Sequence, residues 1–305
     1  MSRGRTAGAS PHRCGHFEIL RVKETLGAAF PPAHLLPGLP PGAIEAHLDW
    51  LAPRHYDTAK QRLVMGTHSW IVRSGRHTVL VDTCIGNHKP RPSSPGFDRL
   101  ELPYLKRLAE AGLRPEDIDY VLCTHLHVDH VGWNTQLDNG RWVPTFPRAK
   151  VLCSRAELAS AEAKANADAP GEDDRAVWQD SVLPVLEAGA IQALDGEHAI
   201  EEGRQGFLRV QPTPGHTPGH VVLRAESQGQ RMLFAGDICH HPLQVCLPDV
   251  NSRFCEDAVA ARSMRRRVLA DCAESGALFA PAHWGAPHAG HIHAAGEAFR
   301  VEFPD

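Results

Sequence analysis

Three imidazoles and a carboxylate fall within the six residues His125-Leu126-His127-Val128-Asp129-His130, the stretch of this sequence with the clearest chemistry. Residues two apart in an extended segment point to the same side. His125 and His127 can therefore grip one ion while the following turn carries Asp129 and His130 to another. Such donors suit zinc first, and also manganese, iron or cobalt. Two such ions about 3.5–4 Å apart hold a water whose pKa falls from 15.7 towards about 7, giving hydroxide at neutral pH without a serine or cysteine nucleophile. Any one of the chain's 20 histidines is uninformative by itself, and a chance histidine-rich turn is the competing explanation. His216, Asp237 and His283 weigh against chance, because each follows an apolar run with strand character.

The elements that must position these residues can be read around them. Tyr120-Val-Leu-Cys-Thr124 runs into His125, and Phe207-Leu-Arg-Val-Gln211 leads through a Pro-Thr-Pro-Gly turn to His216. Met232-Leu-Phe-Ala-Gly236 stops at Asp237, and Ala277-Leu-Phe-Ala-Pro-Ala282 stops at His283. Strands that deliver chemistry at their C-terminal ends are how an αβ sheet builds a site, since the rigid sheet aims each side chain. Ser69–Ser74 and Thr78–Asp82 read as consecutive strands across a turn at Gly75, and Pro103–Gly112 as a helix closed by glycine. Ser154 with Glu157 forms a capping box opening a helix to about Asn166, and Asp173–Ala188 and Cys255–Glu274 are further helices. Residues 1–16 are expected to form a flexible N-terminal tail ahead of one domain, 17–305. Within it, 30–51 is rich in Pro, Gly and Leu and contains Trp50, so it is expected to cover the site or form a homodimer interface.

Thr124-His-Leu-His-Val-Asp-His-Val-Gly132, Pro214-Gly-His-Thr-Pro-Gly-His220, Gly236-Asp237 and Pro281-Ala-His283 together resemble the metallo-β-lactamase superfamily, in its order and over about Phe17 to His293. The resemblance implies an αββα sandwich of the metallo-β-lactamase type with an N-terminal arm. It also implies that His125, His127 and His216 bind one metal, that Asp129, His130 and His283 bind the second, and that Asp237 bridges them. Asp82 matches a supporting aspartate of the family, and equally well a turn former at a strand end. Aspartate at 237 separates the chain from the true β-lactamases with cysteine there, and the His-x-His-x-Asp-His pattern separates it from the flavodiiron reductases. The chain ends 22 residues after His283, too few for the extra helical domain of the glyoxalase II-type thioesterases. The lactonase and organophosphate-hydrolase branch remains. His240 stands where acyl-homoserine lactonases often carry tyrosine, as on the methyl parathion hydrolase side of the branch.

The expected activity is hydrolysis of a neutral small-molecule ester, whether lactone, aryl ester or phosphotriester, because no arginine or lysine sits in the ligand-bearing turns to meet an anion. Asp129 and His240 are placed to relay a proton to the leaving group. The alternatives are a mononuclear iron enzyme resembling the persulfide dioxygenases and a non-catalytic binding protein on the same fold. Trp133 and Trp284 follow ligands and either wall the substrate or pack in the core. His220 is read as structural, the His288, His291 and His293 cluster as tail, and Arg265-Arg266-Arg267 as a solvated helix face. A net charge of −4 offers no field for nucleic acid, and no run approaches the roughly 18 apolar residues of a membrane span. Eight scattered cysteines without a C-x-x-C fit buried inert thiols and a cytoplasmic protein.

Overall fold

The fold follows from strands in which alternate residues face opposite sides, so that each sheet offers one face to its partner sheet and one to helices. In Thr78–Val81, Val79 and Val81 join the cluster between the sheets, while Leu80 packs outward. Leu122 and Leu152 likewise face inward, and Val121 and Val151 outward. The computed structural model describes residues 12–169 and 171–304. Its first sheet runs in the order His12–Cys14, Phe17–Phe30, Arg62–Arg73, Thr78–Val81, Tyr120–Leu122, Lys150–Ser154, Ile191–Leu194, with Tyr56–Asp57 pairing at the edge of Arg62–Arg73. Its second runs His198–Gly203, Gly206–Pro212, Val221–Ser227, Gln230–Gly236, Leu278–Pro281, Gly290–Ala295, Ala298–Glu302. Parallel pairing is confined to the neighbours of Tyr120–Leu122 and Lys150–Ser154 and to Gln230–Gly236 with Leu278–Pro281, which brings their C-terminal ends to one edge.

Helices cover both outer faces. Tyr104 and Leu108 of Tyr104–Glu110 pack on the first sheet with Val177, Trp178, Val182 and Val185. Val268, Leu269 and Cys272 of Ala258–Ser275 pack on the second. The result is the αββα sandwich anticipated above. Helix Ala258–Ser275 begins three residues later than expected, because Asp257 caps it, its Oδ1 accepting from the N–H of Val259 at 3.0 Å and of Ala260 at 2.9 Å. The helix expected over 173–188 is broken by a π-helical stretch, Trp178–Val182. Buried Arg91 donates to both carboxylate oxygens of Asp180 there, at 2.7 and 2.8 Å.

Several expectations need correction. Residues 12–14 are not tail: they pair with the following strand, and Cys14 is buried, while 1–11 lie outside the described residues. The solvated face assigned to Arg265-Arg266-Arg267 fails at Arg265, which is buried. Its guanidinium donates to the carbonyls of Ile238, Pro248 and Val250 at 2.8–3.0 Å and so ties down the loop that follows Asp237. Segment 30–51 carries three short helical pieces, Pro32–Leu35, Glu45–His47 and Leu48–Leu51, and its Leu35, Leu36 and Leu51 pack against Leu63, Met65 and Leu243. Among the described residues no helix is long and apolar enough to cross a membrane.

Candidate metal centre

The residues singled out in the sequence converge at one edge of the sandwich in two clusters. Ligand-type atoms of His125, His127, His216 and Asp237 lie within 4.8 Å of one another, as do those of Asp129, His130 and His283. Asp237 stands between them. Its Oδ2 is 3.3 Å from His216 Nε2 and 3.7 Å from His125 Nε2, and its Oδ1 is 3.1 Å from His283 Nε2 and 3.4 Å from His130 Nε2. Asp129 lies 3.6 Å from both His130 Nε2 and His283 Nε2.

Hydrogen bonds on the outer side of the rings determine which nitrogens are bare on the inner side. His283 Nδ1–H donates to the Gly66 carbonyl at 2.9 Å, and His130 Nδ1–H to Asp82 Oδ2 at 2.9 Å. The Thr124 hydroxyl donates to Asp82 and accepts from His125 Nδ1–H at 3.1 Å. Each ring therefore turns its Nε2 inward, and that of His125, whose pKa burial lowers, is bare. His216 Nε2 is 3.2 Å from His125 Nε2 and 3.1 Å from His127 Nδ1, a convergence of acceptors that hydrogen bonds alone do not satisfy. His130 Nε2 and Asp237 Oδ1 are buried without a hydrogen-bond partner. Orphaned lone pairs of this kind fit divalent cations.

The electrostatics agree. Burial lowers His125 and His216, so both stand as neutral donors. At His283 burial pulls down, but Asp237 and Asp129 outweigh it and raise the pKa to about 9. At Asp237 burial pushes up, yet the surrounding His283, His130 and His240 hold its carboxyl well below the usual range. The Asp237 charge that raises His283 and His130 would equally attract divalent ions in place of those protons.

Backbone geometry explains the close approach. Gly236 has φ +47°, and a Cβ there would sit 2.7 Å from His220 Nε2 and 2.8 Å from Thr124 Oγ1, so glycine alone lets Asp237 enter. His220 is more than filler: burial lowers it to about 3, and its neutral Nε2 accepts from the Asp237 N–H at 3.1 Å.

Glu157 was hidden by a local motif. Ser154 caps the helix by accepting from the Glu157 N–H at 3.0 Å, but the Glu157 carboxylate does not return to the cap. It accepts instead from Leu126 N–H at 3.0 Å, Thr217 Oγ1–H at 2.7 Å and Gly219 N–H at 3.0 Å, joining the two loops that carry His125, His127 and His216.

The sequence pattern of the metallo-beta-lactamase superfamily matches residues 62–295. This chain belongs to that superfamily. An N-acyl homoserine lactonase of Bacillus cereus is 27% identical over 121 residues, which cover 40% of this chain and 38% of that relative. The match thus spans about two fifths of the curated relative's length. A crystal structure of a hydrolase in the beta lactamase superfamily superimposes with TM-score 0.76 at 23% identity, covering 99% of this chain and 100% of the other. A dizinc quorum-quenching lactonase bound to its product gives 0.77 at 19% identity, with 97% of each chain covered. At these identities the likeness to both structures is one of fold.

A cavity of about 690 Å³ opens onto this superfamily site, with Asp129, Asp237, His240 and His283 at its polar end. Its apolar wall comes from Phe30, Met65, Leu126, Val128, Trp178 and Phe254. Trp133 and Trp284 do not contribute. Trp133 stacks on Tyr104 and donates to Glu24 Oε1 at 2.8 Å, and Trp284 is buried with Phe279 under the second sheet. The cysteines nearest the motifs are buried or half-buried free thiols. His240 is buried with Nε2 3.1 Å from Asp237 Oδ2.

Proposed function

We propose that this chain is a dinuclear metal-dependent hydrolase of small esters whose reacting group is neutral: a lactone, an aryl ester or a phosphotriester. The observation that carries the reading is the position of Asp237, one oxygen toward His125 and His216 and the other toward His130 and His283. In this reading His125, His127 and His216 would hold one divalent ion and Asp129, His130 and His283 the other, with Asp237 within reach of both clusters. Zinc is the first candidate for this donor set. When bound, the pair supplies an acidified water at neutral pH and polarises the scissile oxygen.

The chain's own residues do the rest. Leu126, Val128, Met65 and Phe254 exclude water around the reacting ester, which favours an uncharged group there. His240 faces the same cavity beside Asp237 and is placed to pass a proton to the leaving oxygen, with Asp129 as the alternative carrier. The lactonase relative agrees with such a substrate. The test joins metal analysis to a hydrolysis screen over lactones, aryl esters and phosphotriesters. Two equivalents of zinc or manganese with ester turnover support the reading. One equivalent of iron with thiol oxidation would replace it.

A further inference from the structure

The cavity is not neutral throughout. An aromatic path leads away from Asp237: His240 stacks on Phe254 at 6.2 Å between ring centroids, Phe254 meets Phe30 at 5.9 Å, and Phe30 stacks on His34 at 5.4 Å. Arg253 stands at the far end. Its N–H donates to the Leu35 carbonyl at 2.9 Å, which seats it against segment 30–51, and its Nη1–H reaches His34 Nδ1 at 2.9 Å. Among the described residues this exposed guanidinium pairs with no carboxylate, its hydrogen bonds going to His34, and it lines the cavity.

The cavity's other lysine or arginine is engaged: Lys164 is paired with Glu256. Of the two acids on the wall beyond it, Asp173 accepts from the Ser94 hydroxyl at 2.7 Å, and Asp174 lies beside Gly171. Arg253 is thus the cavity cation with a carboxylate still to meet. The expectation of a wholly neutral substrate came from the ligand-bearing turns, and Arg253 enters from a segment outside them.

We infer that Arg253 is a specificity determinant that receives a carboxylate carried by the substrate, separated from the reacting ester by an apolar chain lying along Phe254 and Phe30. This inference rests on the ester-hydrolase reading above. The substrate class is an ester whose acyl part ends in a carboxylate, such as a half-ester of a medium-chain dicarboxylic acid. A guanidinium presents paired N–H groups that match a carboxylate, and it keeps its charge at every relevant pH. Arg253, His34 and Phe254 are exposed at the cavity mouth, so solvent screens the attraction and keeps it modest.

The test compares two substrates of equal length and equal leaving group on the metal-loaded enzyme, with an acyl chain long enough to pass Phe254 and Phe30: p-nitrophenyl dodecanoate and the mono-p-nitrophenyl ester of dodecanedioic acid. The wild type should favour the half-ester by about tenfold in kcat/KM, mainly through KM. Arg253→Ala should bring that ratio close to one, and Arg253→Lys should retain part of it. Calorimetry on metal-free protein gives an independent readout: monomethyl dodecanedioate should bind the wild type and lose its affinity in Arg253→Ala. Equal use of both esters by the wild type, or a preference that survives Arg253→Ala, would overturn the role of Arg253 and leave the hydrolase reading standing. Inactivity toward every ester would overturn the hydrolase reading, and the calorimetric comparison would still decide whether Arg253 holds a carboxylate.

Discussion

Asp82 Oδ2 lies 2.9 Å from Nδ1 of His130, and the same carboxylate accepts from both the N–H and the hydroxyl of Thr124. Because Thr124 in turn takes the Nδ1–H of His125, one buried aspartate sets the orientation of a histidine in each cluster. Asp82→Ala should therefore weaken divalent metal binding about 10–100-fold, with the native fold retained. Competition against a chelating dye measures it. An unchanged affinity in a folded variant would remove Asp82 from metal support.

Asp237 makes a sharper prediction. Wild-type protein should bind close to two divalent ions, and Asp237→Ala should lose most of the second while still folding, since this carboxylate alone reaches both clusters. Ligands that bind only the folded chain raise its stability, by about 2.7 kcal/mol at a hundredfold excess over Kd. Zinc should accordingly raise Tm more in the wild type than in the variant. Full occupancy and full activity in Asp237→Ala would sink the bridging assignment.

Glu157 ties two loops with acceptor oxygens alone, so Glu157→Gln places an amide donor opposite donors. The expected cost is about 1–3 kcal/mol, read as a lower urea midpoint with unchanged m. Metal affinity at the cluster of His125, His127 and His216 should fall with it. Wild-type stability in this variant would mean that the loops hold themselves.

What was legible in the sequence, and what was not, divides by range. The cluster at 125–130 and the strand-end positions of His216, Asp237 and His283 could be read because ligand-type residues interrupt otherwise apolar runs, a strictly local signal. Glu157 could not, because its spacing from Ser154 satisfies a capping box while its true partners include Gly219, 62 residues away. Trp284 adjoins His283, but neighbouring residues on an extended chain face opposite ways, while Trp133 follows His130 by three residues in the helical turn Gly132–Asn134 that aims it at Tyr104; both indoles turned into the core. Arg265 looked solvated because its face of the helix is charged in sequence, and nothing local signals that a carbonyl-lined loop will fold over it.

Acid should destabilise the protein through histidines outside the metal clusters. Burial, with the neighbouring cation or histidine adding to it, lowers His55 to about 3, and burial lowers His241 and His288 to about 4. Each has a lower pKa folded than unfolded, so the unfolded chain takes up protons first as pH falls. Their stabilisation is complete above about pH 6.5 and is lost progressively toward the folded values. For one such group the loss between about pH 7.5 and pH 5.5 is about 1.4 kcal/mol. His55 suits the test, because both ring nitrogens lack hydrogen-bond partners and the ring stacks on Phe303 at 4.8 Å. His55→Leu should lose less stability than the wild type over that interval, by about this amount. Parallel pH profiles would show that His55 does not titrate on unfolding.

His240 supplies the last prediction. It is buried beside Asp237, lines the cavity, and stacks on Phe254 along the route that the substrate would take. Its Nε2 lies 3.1 Å from Asp237 Oδ2, so a leaving oxygen that receives the Nε2–H would take the place of that carboxylate. Burial lowers its pKa against the opposing pull of Asp237, so near neutral pH it is a neutral donor rather than an imidazolium. A donor of this kind matters where the departing group is a basic alkoxide that must gain a proton, and little where it is stable as an anion. His240→Ala should therefore slow an alkyl ester or lactone about a hundredfold, while a nitrophenyl ester with the same acyl group slows far less. A plot of log kcat against leaving-group pKa should be steeper for the variant than for the wild type. Equal losses across the series would make His240 a packing residue and pass the proton-transfer role to Asp129, which faces the same cavity 3.6 Å from His283.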